Sequence, residues 1–121
     1  MNNKDYKNIL IQRAFDLARK TIALTDKFPR KRSAWVITDQ LIRAITSIAA
    51  NIIEAQAASS NKDFINFLSY ALKSGNESKY WLELSKDLDQ KLIKDIDYLL
   101  KETDEIVKIL GSSIVKLKKK S

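Results

Sequence analysis

The sequence predicts an all-α protein, an antiparallel up-down-up-down four-helix bundle. Three observations lead there. Apolar residues recur at three- and four-residue spacing along nearly the whole chain. Only two glycines and one proline punctuate its 121 residues, so strong breakers are few. No segment alternates apolar and polar residues between turn signals as a half-buried strand would. A chain of this length buries roughly two-thirds of the surface its unfolded form exposes, enough for one core. A single domain over residues 1–121 is therefore expected.

The first helix, about 4–26, places Tyr6, Ile9, Leu10, Ala14, Leu17, Ala18, Thr21 and Ile22 along one stripe. It ends in the charged, turn-compatible stretch around Pro29, whose ring removes a backbone donor. The second, about 38–58, carries Ile37, Leu41, Ala44, Ile45, Ile48 and Ile52 on a core stripe. Ile42, Ala49 and Ile53 form another apolar stripe displaced around its axis. A helix apolar on most of its circumference is buried on most of it. The second stripe is therefore expected to be an oligomer interface, with a homo-oligomer meeting along this helix.

The third helix, about 61–87, opens with Ser60 as N-cap and Asp63 three residues on, in the manner of a capping box. Phe64, Phe67, Leu68, Ala71, Leu72, Gly75 and Leu82 give it its stripe. The fourth, about 91–110, repeats Leu92, Ile96, Leu99, Leu100, Thr103, Ile106, Val107 and Leu110; Gly111 reads as its stop, although Ile114, Val115 and Leu117 could prolong it. Residues 116–121 are left as a basic tail. The connections are short, which favours antiparallel neighbours.

Composition bounds the chemistry. There is no cysteine and no histidine, so disulfides, thiolate or imidazole metal ligation, and Ser-His-Asp triads are excluded. No phosphate-cradling glycine loop occurs. The start, MNNKDYKNIL, has no apolar signal core, and no run of 18 apolar residues is free of charge. A cytoplasmic protein without a membrane partner, metal or cofactor is expected.

The net charge is +7, concentrated in KFPRKR at 27–32 and KLKKK at 116–120. Without those eight basic residues, 14 remain against 15 acidic ones. Clusters on a neutral body suit a polyanion. The expected nucleic-acid-binding residues are Arg30, Lys31, Arg32, Lys116, Lys118, Lys119 and Lys120, with Trp35 able to stack on a base. Arg43, Asn51 and Glu54 lie in the apolar second helix, and Glu77 lies mid-way along the third. Buried charge is costly unless paired, so these four are expected to form a structural polar network fixing helix register. A catalytic role for Glu54, Glu77 or Tyr80 is not expected.

From Phe28 to about Leu84 the chain resembles the bacterial four-helix-bundle proteins encoded in intervening sequences of large-subunit ribosomal RNA genes. That family carries F-P and then a stretch like L-T-x-Q-L-R-R-A-x-x-S-I-x-x-N-I-x-E-G. Here those places read Phe28-Pro29, Thr38, Gln40-Leu41, Arg43-Ala44, Ser47-Ile48, Asn51-Ile52 and Glu54. The family's third helix, S-x-K-E-F-x-x-F-L then A-x-G-S-x-x-E, is matched by Ser60, Lys62-Asp63-Phe64, Phe67-Leu68, Ala71, Ser74 and Glu77. Ala55 and Lys73 stand where the family has glycine, and Ile42 stands for the first of its paired arginines. The resemblance implies a subunit that assembles into a ring, a homopentamer in characterised relatives, with no enzymatic activity implied. A related branch is the accessory variability determinant of diversity-generating retroelements, which works beside a reverse transcriptase on nucleic acid. Residues and resemblance together point to a non-enzymatic, homo-oligomeric protein associated with RNA or, less favoured, DNA. The alternative is a structural ring whose partner is another protein.

Overall fold

A computed structural model describes residues 3–120, excepting the side chains of 3, 4 and 6. Met1, Asn2 and Ser121 lie outside the described residues, as does the side chain of Tyr6 from the expected first stripe. Four helices carry the fold: α1 (Asn3–Thr25), α2 (Arg32–Gln56), α3 (Asn61–Ser85) and α4 (Ile93–Lys120), with a single helical turn, Gln90–Leu92, leading into α4.

Each helix packs on its neighbour in sequence and α1 closes on α4, while among the described residues the diagonal pairs make no close backbone approach. Long-range pairs give the directions. Arg13 meets Glu102 and Glu105, and Lys27 lies 4.0 Å from Asp95, so α1 and α4 run antiparallel. Lys79 meets Asp104 and Lys86 meets Asp97, so α3 and α4 do too. The four-residue link 57–60 turns α2 straight back along α3.

The α2–α3 contact is the most extensive, α1–α4 the least. Gly75 on α3 lets Val107 of α4 approach closely, with Ile48 of α2 in ordinary contact beside it. The core is the expected one, built on Leu17, Leu41, Ile45, Ile48, Ile52, Leu82, Ile96, Ile106 and Leu110. Its buried hydroxyls need no partner helix. Thr21, Ser78, Ser85 and Thr103 each donate to a carbonyl one turn back in their own helix. Among the described residues no buried side-chain polar atom lacks a partner.

Capping follows the expected chemistry at α3, where Ser60 Oγ accepts from the Asp63 amide at 3.0 Å. Two boundaries differ from expectation. α2 begins at Arg32, not 38, because Ala34 and Ile37 extend its buried stripe backwards from Leu41. α4 does not stop at Gly111. It continues to Lys120, since Ile114 is buried and Leu117 packs on the core, prolonging the stripe of Ile106 and Leu110. The expected basic tail is thus helix as far as Lys120.

By length and composition alone α2 is long and apolar enough to cross a membrane, although Asp39 and Arg43 interrupt it. In this fold it is one of four packed helices, with nine residues buried in the bundle.

Candidate functional site

The two basic clusters do not meet. Arg30, Lys31 and Arg32 sit where α1 passes to α2, and Lys116–Lys120 end α4 at the opposite end of the bundle. The 25 residues of α2 separate these ends by roughly 37 Å.

The Arg30 end is electrically mixed. Arg30, Lys31, Arg32 and Trp35 are all exposed. The α3–α4 connection and the start of α4 bring Asp87, Asp89, Asp95 and Asp97 to that end, and Lys86 already pairs with Asp97 at 2.8 Å. Trp35, on the first turn of α2, is 62% exposed and packs as no staple.

The other end carries more cations than carboxylates, although Asp5, Glu54 and Asp63 stand there too. Helical steps of about 100° spread the terminal lysines of α4 around its axis, with Lys116 and Lys120 on one side and Lys118 behind. Cations also belong at a helix C-terminus, where the backbone dipole is negative. Lys62 at the start of α3 and Lys7 on α1 share this end. The Lys7 ammonium lies 5.2 Å from the centre of the Phe64 ring.

Beneath Lys7, Lys116 and Lys120 opens a pocket of about 350 Å³. Leu10, Ile52, Phe64, Leu68, Leu110 and Leu117 are among the apolar groups lining it. The expected stop at Gly111 leaves it out, and the extension that Ile114, Val115 and Leu117 allow in the sequence is what forms it.

The expected polar network does not form. Arg43, Glu54 and Glu77 are exposed, and no ion pair joins them among the described residues. Arg43 and Glu54 are eleven positions apart on one helix, about 16 Å along its axis, beyond any direct contact. Asn51 is instead satisfied locally, its amide donating to the Ser47 carbonyl at 2.8 Å. Tyr80 is exposed, meets Trp81 edge-on at 4.8 Å, and shares an open groove with Glu77 that Glu54 does not line. Among the described residues no three carboxylates gather as a metal site would require.

The expected interface stripe divides. Ala49 belongs to the chain's own core, because α2 turns that side further inward than its apolar pattern alone indicates. Ile42 is half-buried and Ile53 is 46% exposed. Trp35 and Val36 on α2, with Phe15 and Ile22 on α1, are also largely exposed. Among the described residues α2 takes part in no ion pair, whereas α4 is tied to both its neighbours.

Residues 6–112 match the model of a family described as 23S rRNA-intervening sequence protein. Four chains of solved structures match. One is the crystal structure of a protein of unknown function from the S23 ribosomal protein family, from Bacteroides thetaiotaomicron VPI-5482. It is 34% identical, with a TM-score of 0.80, and the alignment covers 89% of this chain and 96% of that one. No curated protein matches.

Proposed function

Because the chain belongs to the 23S rRNA-intervening sequence protein family, we propose that it is a non-enzymatic, homo-oligomeric protein that binds RNA, in the cytoplasm, through the basic end of its bundle. The observation that carries the reading is the charge at the end of α4. There Lys116, Lys118, Lys119 and Lys120 project from an ordered helix with Lys7 and Lys62 nearby. Phosphate contacts of this kind give affinity with little sequence preference. Arg30, Lys31 and Arg32 form a secondary contact, since neighbouring aspartates offset their field.

The assembly part of the reading rests on α2. Its exposed Trp35, Val36 and Ile53 adjoin unpaired Arg43, Asp39 and Glu54, the mixture of apolar and polar groups that an interface between copies uses. A homopentamer is the form implied by the resemblance, and light scattering reads it directly.

The test is a titration of a short single-stranded RNA at increasing salt. Affinity should fall steeply as salt rises, and neutralising Lys118, Lys119 and Lys120 to alanine should lower both affinity and the salt slope. The triple change at Arg30, Lys31 and Arg32 should do less. Absence of binding at low salt, with the oligomer intact, would replace this reading with that of a scaffold for a protein partner.

A further inference from the structure

The pocket under the terminal lysines is segregated in a way that phosphate contacts do not require. Its floor is apolar, with Leu10 and Ile52 coming from α1 and α2, and Phe64 and Leu68 from α3. Its rim is cationic, formed by Lys7, Lys116 and Lys120, with the hydroxyl groups of Ser112 and Ser113 beside them. Among the described residues no carboxylate lines it. We propose that this pocket binds a single-chain amphiphile with an anionic head group, of the medium-chain carboxylate class.

The argument is charge complementarity joined to shape. An alkyl chain laid on the floor gains from removing apolar surface from water on both sides. A carboxylate at the mouth then meets a lining that carries three lysines and two serines. A neutral amphiphile forgoes the second gain, and a cationic one meets repulsion. The volume, about 350 Å³, is at the low end for small-ligand sites, which suits one chain better than a two-chain lipid. The site exists because α4 runs past Gly111, bringing Ser112, Ser113, Lys116 and Leu117 over the ends of α1 and α3. The proposal does not depend on RNA binding, although Lys116 and Lys120 belong to both surfaces.

Calorimetric titration of the full chain with decanoate, below its micelle-forming concentration, tests it. Decanol and decyltrimethylammonium are the comparison ligands. The expected result is one saturable decanoate site per chain, with affinity about tenfold above decanol and no binding of the cation. The K116A/K120A variant should lose the preference for decanoate while still binding decanol. Ser113→Trp, at a partly exposed position on α4, should abolish binding of both while its thermal melt stays cooperative. Lys7→Ala, on the surface of α1, should weaken decanoate alone and repeats the charge test where folding is not at issue. Absence of saturable binding, equal affinity for decanoate and the cation, or full binding by Ser113→Trp each overturns the proposal. Decanoate excluded because a second copy fills the pocket would appear as no binding, and overturns it as well.

Discussion

Gly75 and Gly111 lie in consecutive helices of one bundle, yet the same substitution at each should act in opposite directions. A Cβ on Gly75 would stand 2.5 Å from Val107 Cγ2, and valine's branched side chain has little freedom to move aside. Gly75→Ala should therefore wedge α3 from α4 and lower stability by about 1–3 kcal/mol. A Cβ on Gly111 meets nothing within 4 Å. Gly111→Ala, inside a continuing helix, should raise stability by about 0.5–1 kcal/mol through lower unfolded-state entropy and better helix propensity. Thermal melts of the two variants should shift the midpoint down and up respectively. A matching upward shift for Gly75→Ala would mean that α3 and α4 are not closely packed there.

At the scale of elements, α4 and α2 are held by different forces. α4 has an ion pair on each flank: Arg13 to Glu102 and Glu105 at 2.8 Å on one side, Lys79 to Asp104 at 3.1 Å on the other. Its last two turns are held by packing instead. Ile114 is 7% exposed, and replacing it with alanine should cost about 2 kcal/mol and fray the helix from that point. Hydrogen exchange should then show faster amides after Gly111 and unchanged ones before Thr103. α2 has no ion pair among the described residues and is held by its buried face alone. Its exposed apolar groups can be charged without disturbing the core. Ile53→Glu should leave the melt nearly unchanged while lowering the mass measured by light scattering, if copies meet along α2.

For the whole molecule, pH dependence follows from the same ties around α4. Hydrogen bonds from Lys108 and Lys79 hold the Asp104 carboxyl below its usual 3.8. Its folded value lies below its unfolded one, so the stabilisation is present above about pH 4 and disappears as acid protonates the folded carboxylate. Hydrogen bonds to Asp97 and Glu83 raise Lys86 above 10.5, and Asp104 raises Lys108 likewise. Their contribution is complete below 10.5 and disappears as pH climbs through the raised folded values. Urea melts should give a plateau through the neutral range with losses on both limbs. Asp104→Asn should flatten the acid limb. An acid limb unchanged by that substitution would show that Asp104 has no measurable tie to Lys79 and Lys108.

Helix number, order and core stripe were legible in the sequence because burial imposes the 3.6-residue period directly. Leu41, Ile45, Ile48 and Ile52, or Ile96, Leu99, Ile106 and Leu110, can be assigned inward from spacing alone. The cap at Ser60 was equally legible, since one side chain and its own following amides make it. The candidate site was legible only as composition: two runs of basic residues. Where those runs stand is a matter of topology, and antiparallel packing carries them to opposite ends. Whether a charged residue on an apolar helix is buried depends on which arc its neighbours cover, and they leave Arg43 and Glu54 outside. The pocket needs four helix ends converging around an α4 that outlasts its glycine. Local spacing thus determined which residues turn inward, and only the packing of helices against each other decided which outward residues share a surface.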